Sequence, residues 1–415
     1  MGSDLAFYGG EPIRCTAFPE WPVFSDTERS LLIETLESRR WWATQGTKVK
    51  EFERKWGTYN HGTTSVAVTN GSHTLEIALL ALGVGEGDEV IVPNWTFFAT
   101  VAAVLMINAV PVLVDVKLDT GCIDASLVRK AITKRTKAVI PVHIAGSCAD
   151  MDALLQIAKE FDLAIVEDCA HAHGSSWDDI PAGMIGDAGS YSFQSSKLMT
   201  AGEGGAIISK HADVLSRARS LADCGRLPGE WFYSHYSLGG NYRMTEWQGA
   251  ILLAQLERFP EQRAIRSENA ELLNNEFAKI PGIYPQKREA RCTSQGNYCY
   301  VLRVDKNTFG LERDRIRELL ISEGIPLTMA YPALSKLELF TNPRGLEPRI
   351  RKQINSKSIC EVFAPISEML AESTLWFNTS ILMGENNDAL DAVRALHKIF
   401  ENRHLIKRSE KGANK

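Results

Sequence analysis

From Ser65 to about Ser209 the chain alternates short, apolar, β-branched runs with stretches of helical period. The runs Ser65–Thr69, Glu89–Val92, Val110–Val114, Ala138–Val142, Leu163–Val166, Gly189–Phe193 and Ala206–Ile208 predict strands. His73–Leu82, Phe98–Ile107, Ala125–Ile132 and Met151–Phe161 predict helices between the early ones. Asp124 and Asp150 stand where the last two helices need N-terminal caps, since a short carboxylate accepts the free N–H groups of a first turn. Strands that are apolar throughout and alternate with helices bury both faces. The pattern therefore predicts an α/β fold with a mostly parallel central sheet.

After Gly240 the texture changes. Met244–Phe259 and Pro260–Lys279 read as two long helices meeting at Phe259–Pro260, with Pro260 in the first helical position of the second. A strand over Tyr298–Val304 and helices over Arg313–Glu323 and Ala389–Glu401 predict a smaller C-terminal α+β domain. The expected division is an N-terminal segment over 1–30 that lies over one of the domains, a large domain over 31–260 and a small one over 261–415. The basic end, Arg403–Lys415, reads as a frayed, solvated tail.

Composition narrows the function classes. The 415 residues suffice for two domains, and 44% hydrophobic with 23% charged residues is ordinary for a globular protein. With 46 basic against 51 acidic residues there is no positive excess to neutralise a phosphate backbone, so no nucleic-acid partner is expected. The most apolar stretch, Phe97–Val116, is broken by Asn108, Pro111 and Asp115. It reads as a helix followed by a buried strand, and no membrane partner is expected. The eight cysteines include no Cys-x-x-Cys pair and read as reduced thiols of a cytoplasmic protein; Met1–Asp4 lacks a secretory pattern.

Four segments carry candidate chemistry. Thr69-Asn70-Gly71-Ser72-His73 follows a strand and opens a helix, where free N–H groups, a hydroxyl and the positive helix end can hold a phosphate. Alone, it is weak, because most such junctions are only tight turns with a cap. Glu167-Asp168-Cys169-Ala170-His171-Ala172-His173 sits at the C-terminal end of a strand, the edge where open α/β sheets bind ligands. Its two histidines show no third ligand at metal spacing, so no metal is expected. In Ser192-Phe193-Gln194-Ser195-Ser196-Lys197, one lysine is framed by small and hydroxyl residues ahead of Gly202-Glu203-Gly204-Gly205. A partly desolvated lysine has a lowered pKa and attacks carbonyls, whereas a surface lysine before a hairpin would do nothing. Gly240-Asn241-Tyr242-Arg243-Met244 precedes the first long helix. A phosphate cradle, an acid at a strand end and a buried lysine are together what pyridoxal phosphate needs.

The order and wording of these segments resemble the DegT/DnrJ/StrS aminotransferases, fold-type I pyridoxal-phosphate enzymes acting on sugars and cyclitols. The likeness runs from Phe18-Pro19-Glu20-Trp21-Pro22 to the C-terminal helix. It implies that Lys197 forms the internal aldimine and moves the proton, and that Asp168 holds the pyridinium nitrogen. It further implies that Gly71, Ser72 and Ser192 bind the phosphate, that Asn241 reaches it from the partner of a homodimer with shared sites, and that Phe97 stacks on the ring. His171 stands where the family commonly has Gln beside the cofactor's phenolic oxygen, and Tyr331-Pro332-Ala333-Leu334 departs from a His-containing substrate loop. His171, Trp41-Trp42 and Lys197-Leu198-Met199-Thr200 are similar to the 3-amino-5-hydroxybenzoate synthases. The implied activity is ping-pong transfer of an amino group from glutamate or glutamine to a keto-sugar or keto-cyclitol, in amino-sugar, aminocyclitol or antibiotic biosynthesis. The alternatives are elimination and aromatisation of an aminoshikimate-type ring, or a non-catalytic regulator that only binds the cofactor. Trp42, His143, Tyr242 and Arg243 are candidates for reading substrate hydroxyls.

Overall fold

The computed structural model describes residues 4–342 and 362–413, with side chains through residue 406. Its central sheet is built from β1 (Val66–Val68), β2 (Glu89–Pro93), β3 (Val110–Val114), β4 (Thr136–Val139) and β5 (Ala164–Asp168). After a hairpin of β6 (Ser176–Trp177) and β7 (Ile180–Pro181) it is completed by β8 (Ala188–Ser192) and β9 (Gly205–Ile208). The strand order is β1-β9-β8-β5-β4-β2-β3. Only β9 runs against its neighbours, and the other pairings are parallel. The expected mostly parallel sheet is what forms.

Alternate residues of a strand point to opposite faces, and in β2 Ile91 enters one core while Val90 and Val92 enter the other. The first core includes Phe52, Trp56, Ile165, Tyr191 and Phe193, and the second Leu75, Val104, Val166 and Ile207. Both faces are thus sealed, by α1 (Asp26–Ser38), α2 (Lys48–Tyr59), α3 (Gly71–Ala81), α4 (Ala99–Met106), α5 (Ala125–Ala131), α6 (Met151–Phe161) and α7 (Ala212–Ala222) among them. The expected caps form: Asp124 accepts from Ser126 N at 2.8 Å and Asp150 from Ala153 N at 3.2 Å. Helix α3 starts at Gly71, earlier than its apolar period suggested, because the Asn70 side chain caps it through His73 N.

The two expected helices on either side of Pro260 are one helix, α8 (Glu246–Phe277). An interior proline costs about 3 kcal/mol. On its two sides Leu256, Phe259, Leu273 and Phe277 are buried, and each contributes roughly 1.5–3 kcal/mol, so packing outweighs the break. At the N-terminus of α8 the Glu246 carboxylate accepts from the N–H groups of Lys48 and Val49, at 2.7 and 3.1 Å, and so caps α2.

Beyond α8, β10 (Ile283–Pro285), β12 (Cys299–Val304), β13 (Leu327–Thr328) and β14 (Thr374–Asn378) form an antiparallel sheet of order β10-β12-β14-β13, while β11 (Cys292–Ser294) joins the β6–β7 hairpin. Helices α9 (Lys306–Phe309), α10 (Arg313–Ser322), α11 (Glu338–Thr341), α12 (Pro365–Ser373) and α13 (Asn386–Ala413) follow among the described residues. The N-terminal segment covers this second unit: Leu5 is in its core, and the Glu323 carboxylate accepts from Ala6 N and Ile13 N at 2.9 and 3.0 Å. The tail does not fray at Arg403. Helix α13 continues to Ala413 and buries Ile406 in the same core; Asn414 and Lys415 lie outside the described residues. Among the described residues no helix is long and apolar enough to cross a membrane.

Candidate active site

Asp168 is the last residue of β5, at the C-terminal edge of the sheet, and is 6% exposed. Its Oδ2 accepts from Thr100 Oγ1 at 2.9 Å and its Oδ1 from Ala170 N at 3.1 Å. Burial pushes the carboxyl up; the two hydrogen bonds and the charge of Lys197 oppose that shift.

Lys197 lies in the turn after β8, with its own N–H bound to Gln194 O at 2.8 Å. It is 9% exposed, and its Nζ sits 4.5 Å from the centre of the Tyr298 ring. Burial lowers its pKa to about 8, against the raising effect of Asp168. At neutral pH about a tenth of such a group is free amine, against roughly 0.03% for an unperturbed lysine.

The start of α3 meets the end of β8 beside these two groups. A Cβ on Gly71 would lie 2.6 Å from Ser192 Cβ, so only glycine allows that approach. Thr74 Oγ1 and Ser190 Oγ, 2.5 Å apart, hold the junction. The N–H groups of His73 and Thr74 go to Asn70, while those of Gly71 and Ser72 have no acceptor among the described residues and are left as donors of the first turn. Gly71, Ser72 and Ser192 are therefore brought together at a helix N-terminus.

Phe97 stands just before α4, 55% exposed, three residues ahead of the Thr100 that holds Asp168. His171 is buried, its ring stacked on Tyr298 with centroids 4.0 Å apart. Burial and the nearby Lys197 hold it well below the usual histidine range, hence neutral. Asn241 is exposed, on a segment whose Tyr242 O accepts from Thr69 N at 2.8 Å and whose Arg243 pairs with Val68.

Of the four candidate substrate readers, His143 is corrected. It is fully buried, with Nε2 on Glu167 Oε2 at 3.0 Å and Nδ1 accepting from Ala149 N at 3.1 Å, so it has nothing left to offer a substrate. Trp42 packs edge-on against Phe232 and under the Arg243 guanidinium, and Tyr242 packs on His73. His143, Glu167 and Cys169 converge, yet Glu167 spends its oxygens on His143 and on the N–H groups of Gly183, Ile185 and Gly186. His173 points away from His171 chemistry altogether, into Trp56, Tyr191 and Phe193.

Sequence reasoning missed Thr100, Tyr298 and Trp376. None sits in a motif, and Tyr298 and Trp376 reach the site only because β12 and β14 pack beside it. The set fits pyridoxal phosphate: a desolvated amine, a buried carboxylate, and a glycine cradle with free N–H donors that a Cβ would fill.

A lysine and a carboxylate at this edge of a mostly parallel sheet, with an antiparallel unit beside them, define the class as fold-type I aminotransferases. The crystal structure of 3-amino-5-hydroxybenzoic acid synthase matches with a TM-score of 0.84 and 33% identity, over 94% of this chain and 100% of that one. The chain belongs to the DegT/DnrJ/EryC1/StrS aminotransferase family, whose model matches residues 24–370. A protein of Streptoalloteichus tenebrarius, provisionally named L-glutamine:3-amino-2,3-dideoxy-scyllo-inosose aminotransferase, is 40% identical over 97% of this chain and 99% of its own. The 3-amino-5-hydroxybenzoate synthase of Amycolatopsis mediterranei is 38% identical over 78% of this chain and 84% of its own.

Proposed function

We propose that this aminotransferase moves the amino group of L-glutamine to the ketone of a cyclitol of the inosose class, in aminocyclitol antibiotic biosynthesis. The observation that carries the reading is the buried Lys197, held as a partly free amine beside Asp168. The donor and acceptor are those in the name of the 40%-identical relative, which matches nearly end to end. Pyridoxal phosphate, when bound, supplies the carbonyl that takes up the donor's nitrogen and the ring that delocalises the electron pair left at its α-carbon.

Each side chain then has a task. Lys197 anchors the cofactor and carries the proton between the α-carbon and the cofactor. Asp168 keeps the ring nitrogen protonated, and Gly71, Ser72 and Ser192 hold the phosphate through the donors at the start of α3. Phe97 would cover the ring face, and His171 stands on the side where the phenolic oxygen would lie without having to contact it. In a cytoplasmic homodimer, Asn241 extends into the partner's site. Leu238, 98% exposed, and Trp231, 71% exposed, on the same segment support an interface there.

The test is absorbance. With pyridoxal phosphate added, glutamine is expected to bleach the yellow lysine-bound cofactor, and a keto-inositol but not a nucleotide-linked keto-sugar restores it. Failure of glutamine to bleach, with dehydration of an aminoshikimate-type ring instead, would favour the synthase reading supported by the Amycolatopsis relative. A pH dependence follows as well. Cofactor capture needs the neutral amine, so its rate in stopped flow is expected to rise about tenfold per unit below pH 8 and level off above it. A rate still climbing toward pH 10 would mean that Lys197 titrates as an exposed lysine.

A further inference from the structure

Tyr331 descends from the antiparallel unit into the site. Its backbone oxygen accepts from Trp95 Nε1 at 3.0 Å, and its ring packs against Trp376 with centroids 4.8 Å apart and against Phe97 at 5.8 Å. Its Oη lies 3.2 Å from His171 Nε2. On the other side of that imidazole, Nδ1 faces Ala145 N at 3.3 Å. A backbone N–H can only donate, so Nδ1 is the accepting nitrogen. The single proton of the neutral ring is therefore on Nε2, and Nε2–H donates to the tyrosine oxygen.

The donor capacity of His171 is already spent inside the protein. The hydroxyl proton of Tyr331, in contrast, has no acceptor among the described residues. An oriented O–H donor without an acceptor, between Phe97 and His171 and close enough to Asp168 to feel its charge, is prepared for an oxygen that arrives with a ligand.

We propose that Tyr331 is a catalytic residue whose hydroxyl donates to the phenolic oxygen of pyridoxal phosphate, and that His171 is a positioning residue that holds this hydroxyl rather than meeting the cofactor itself. The inference rests on the reading that this site takes pyridoxal phosphate. His171 is fixed by Ala145 N–H and by the stack on Tyr298, so its preference for one tautomer passes to the orientation of Tyr331. A donor at the phenolic oxygen stabilises the phenolate and weakens its internal bond to the lysine-derived nitrogen. The bound cofactor then loses its proton at lower pH.

The experiment is a pH titration of the absorbance of the lysine-bound cofactor in the full-length wild type, Tyr331→Phe, His171→Phe and the double variant. Tyr331→Phe keeps the ring on Trp376 and Phe97, and His171→Phe keeps the stack on Tyr298; melting temperatures check that both fold. The spectral pKa is expected to rise by about one unit, a tenfold gain in proton affinity, in each single variant and no further in the double. A shift in His171→Phe alone would place the imidazole directly on the cofactor and overturn the proposal. An unchanged titration in Tyr331→Phe, with altered KM for the acceptor ketone, would move the hydroxyl to the substrate and overturn it equally. A wild type that gives no yellow species with pyridoxal phosphate would instead sink the cofactor reading on which all of this depends.

Discussion

Replacing Lys197 with alanine is expected to lower amination at least about 10³-fold and to leave added pyridoxal phosphate removable by dialysis. A positioned proton carrier is worth roughly 10²–10⁴ in rate, and in the proposed function the same amine also anchors the cofactor. The loss is chemical rather than structural. Lys197 holds the turn after β8 through its backbone N–H on Gln194 O, which alanine retains, and its ammonium makes no ion pair with Asp168 at contact distance. Removing a buried ammonium also removes its desolvation cost, so the melting temperature of the variant should equal or exceed that of the wild type. Small primary amines added to the buffer should restore part of the activity, because the cavity left by the side chain lies beside Tyr298. Full activity in Lys197→Ala would end the assignment.

Much of the fold was legible because it is dictated locally. β3 appears with its expected bounds, and β2 and β8 differ by a residue or so, since an apolar β-branched run between turn signals leaves few choices. Errors arose where tertiary packing overrode a local signal. Pro260 marks a helix start in isolation, but the buried residues on both sides of it hold α8 straight through. Arg403–Lys415 reads as solvated because its charges dominate, while one buried position, Ile406, is enough to carry α13 onward. The site divides the same way. Gly71, Ser72, Asp168, Ser192 and Lys197 stand in short segments whose residue types suit one chemistry, so they could be named from the sequence. Thr100, Tyr298 and Trp376 depend on which strand lies beside which, and no spacing encodes that. Tyr331 was visible only as a departure from a substrate loop, and its contact with His171 gives the departure a physical content.

The second large effect is at Asp168. Asp168→Asn should slow amination by about 10²–10⁴-fold, the scale of losing one partner of a buried charge pair. Yet the fold should survive. The asparagine oxygen can still accept from Thr100 or Ala170, and the neutral amide no longer bears the desolvation that pushes the carboxyl up. The substitution also acts on its neighbour in the opposite sense. Asp168 raises the Lys197 pKa against burial, so removing its charge lets that pKa fall below about 8. More free amine is then present at pH 7, and capture of pyridoxal phosphate becomes faster while turnover becomes slower. Stopped-flow capture across pH 6–9 and steady-state amination, measured on the same variant, separate the two. A midpoint that stays near 8 would mean that the two groups do not share a field. A variant that is slow in both assays would place the defect in folding or phosphate binding rather than at the ring nitrogen.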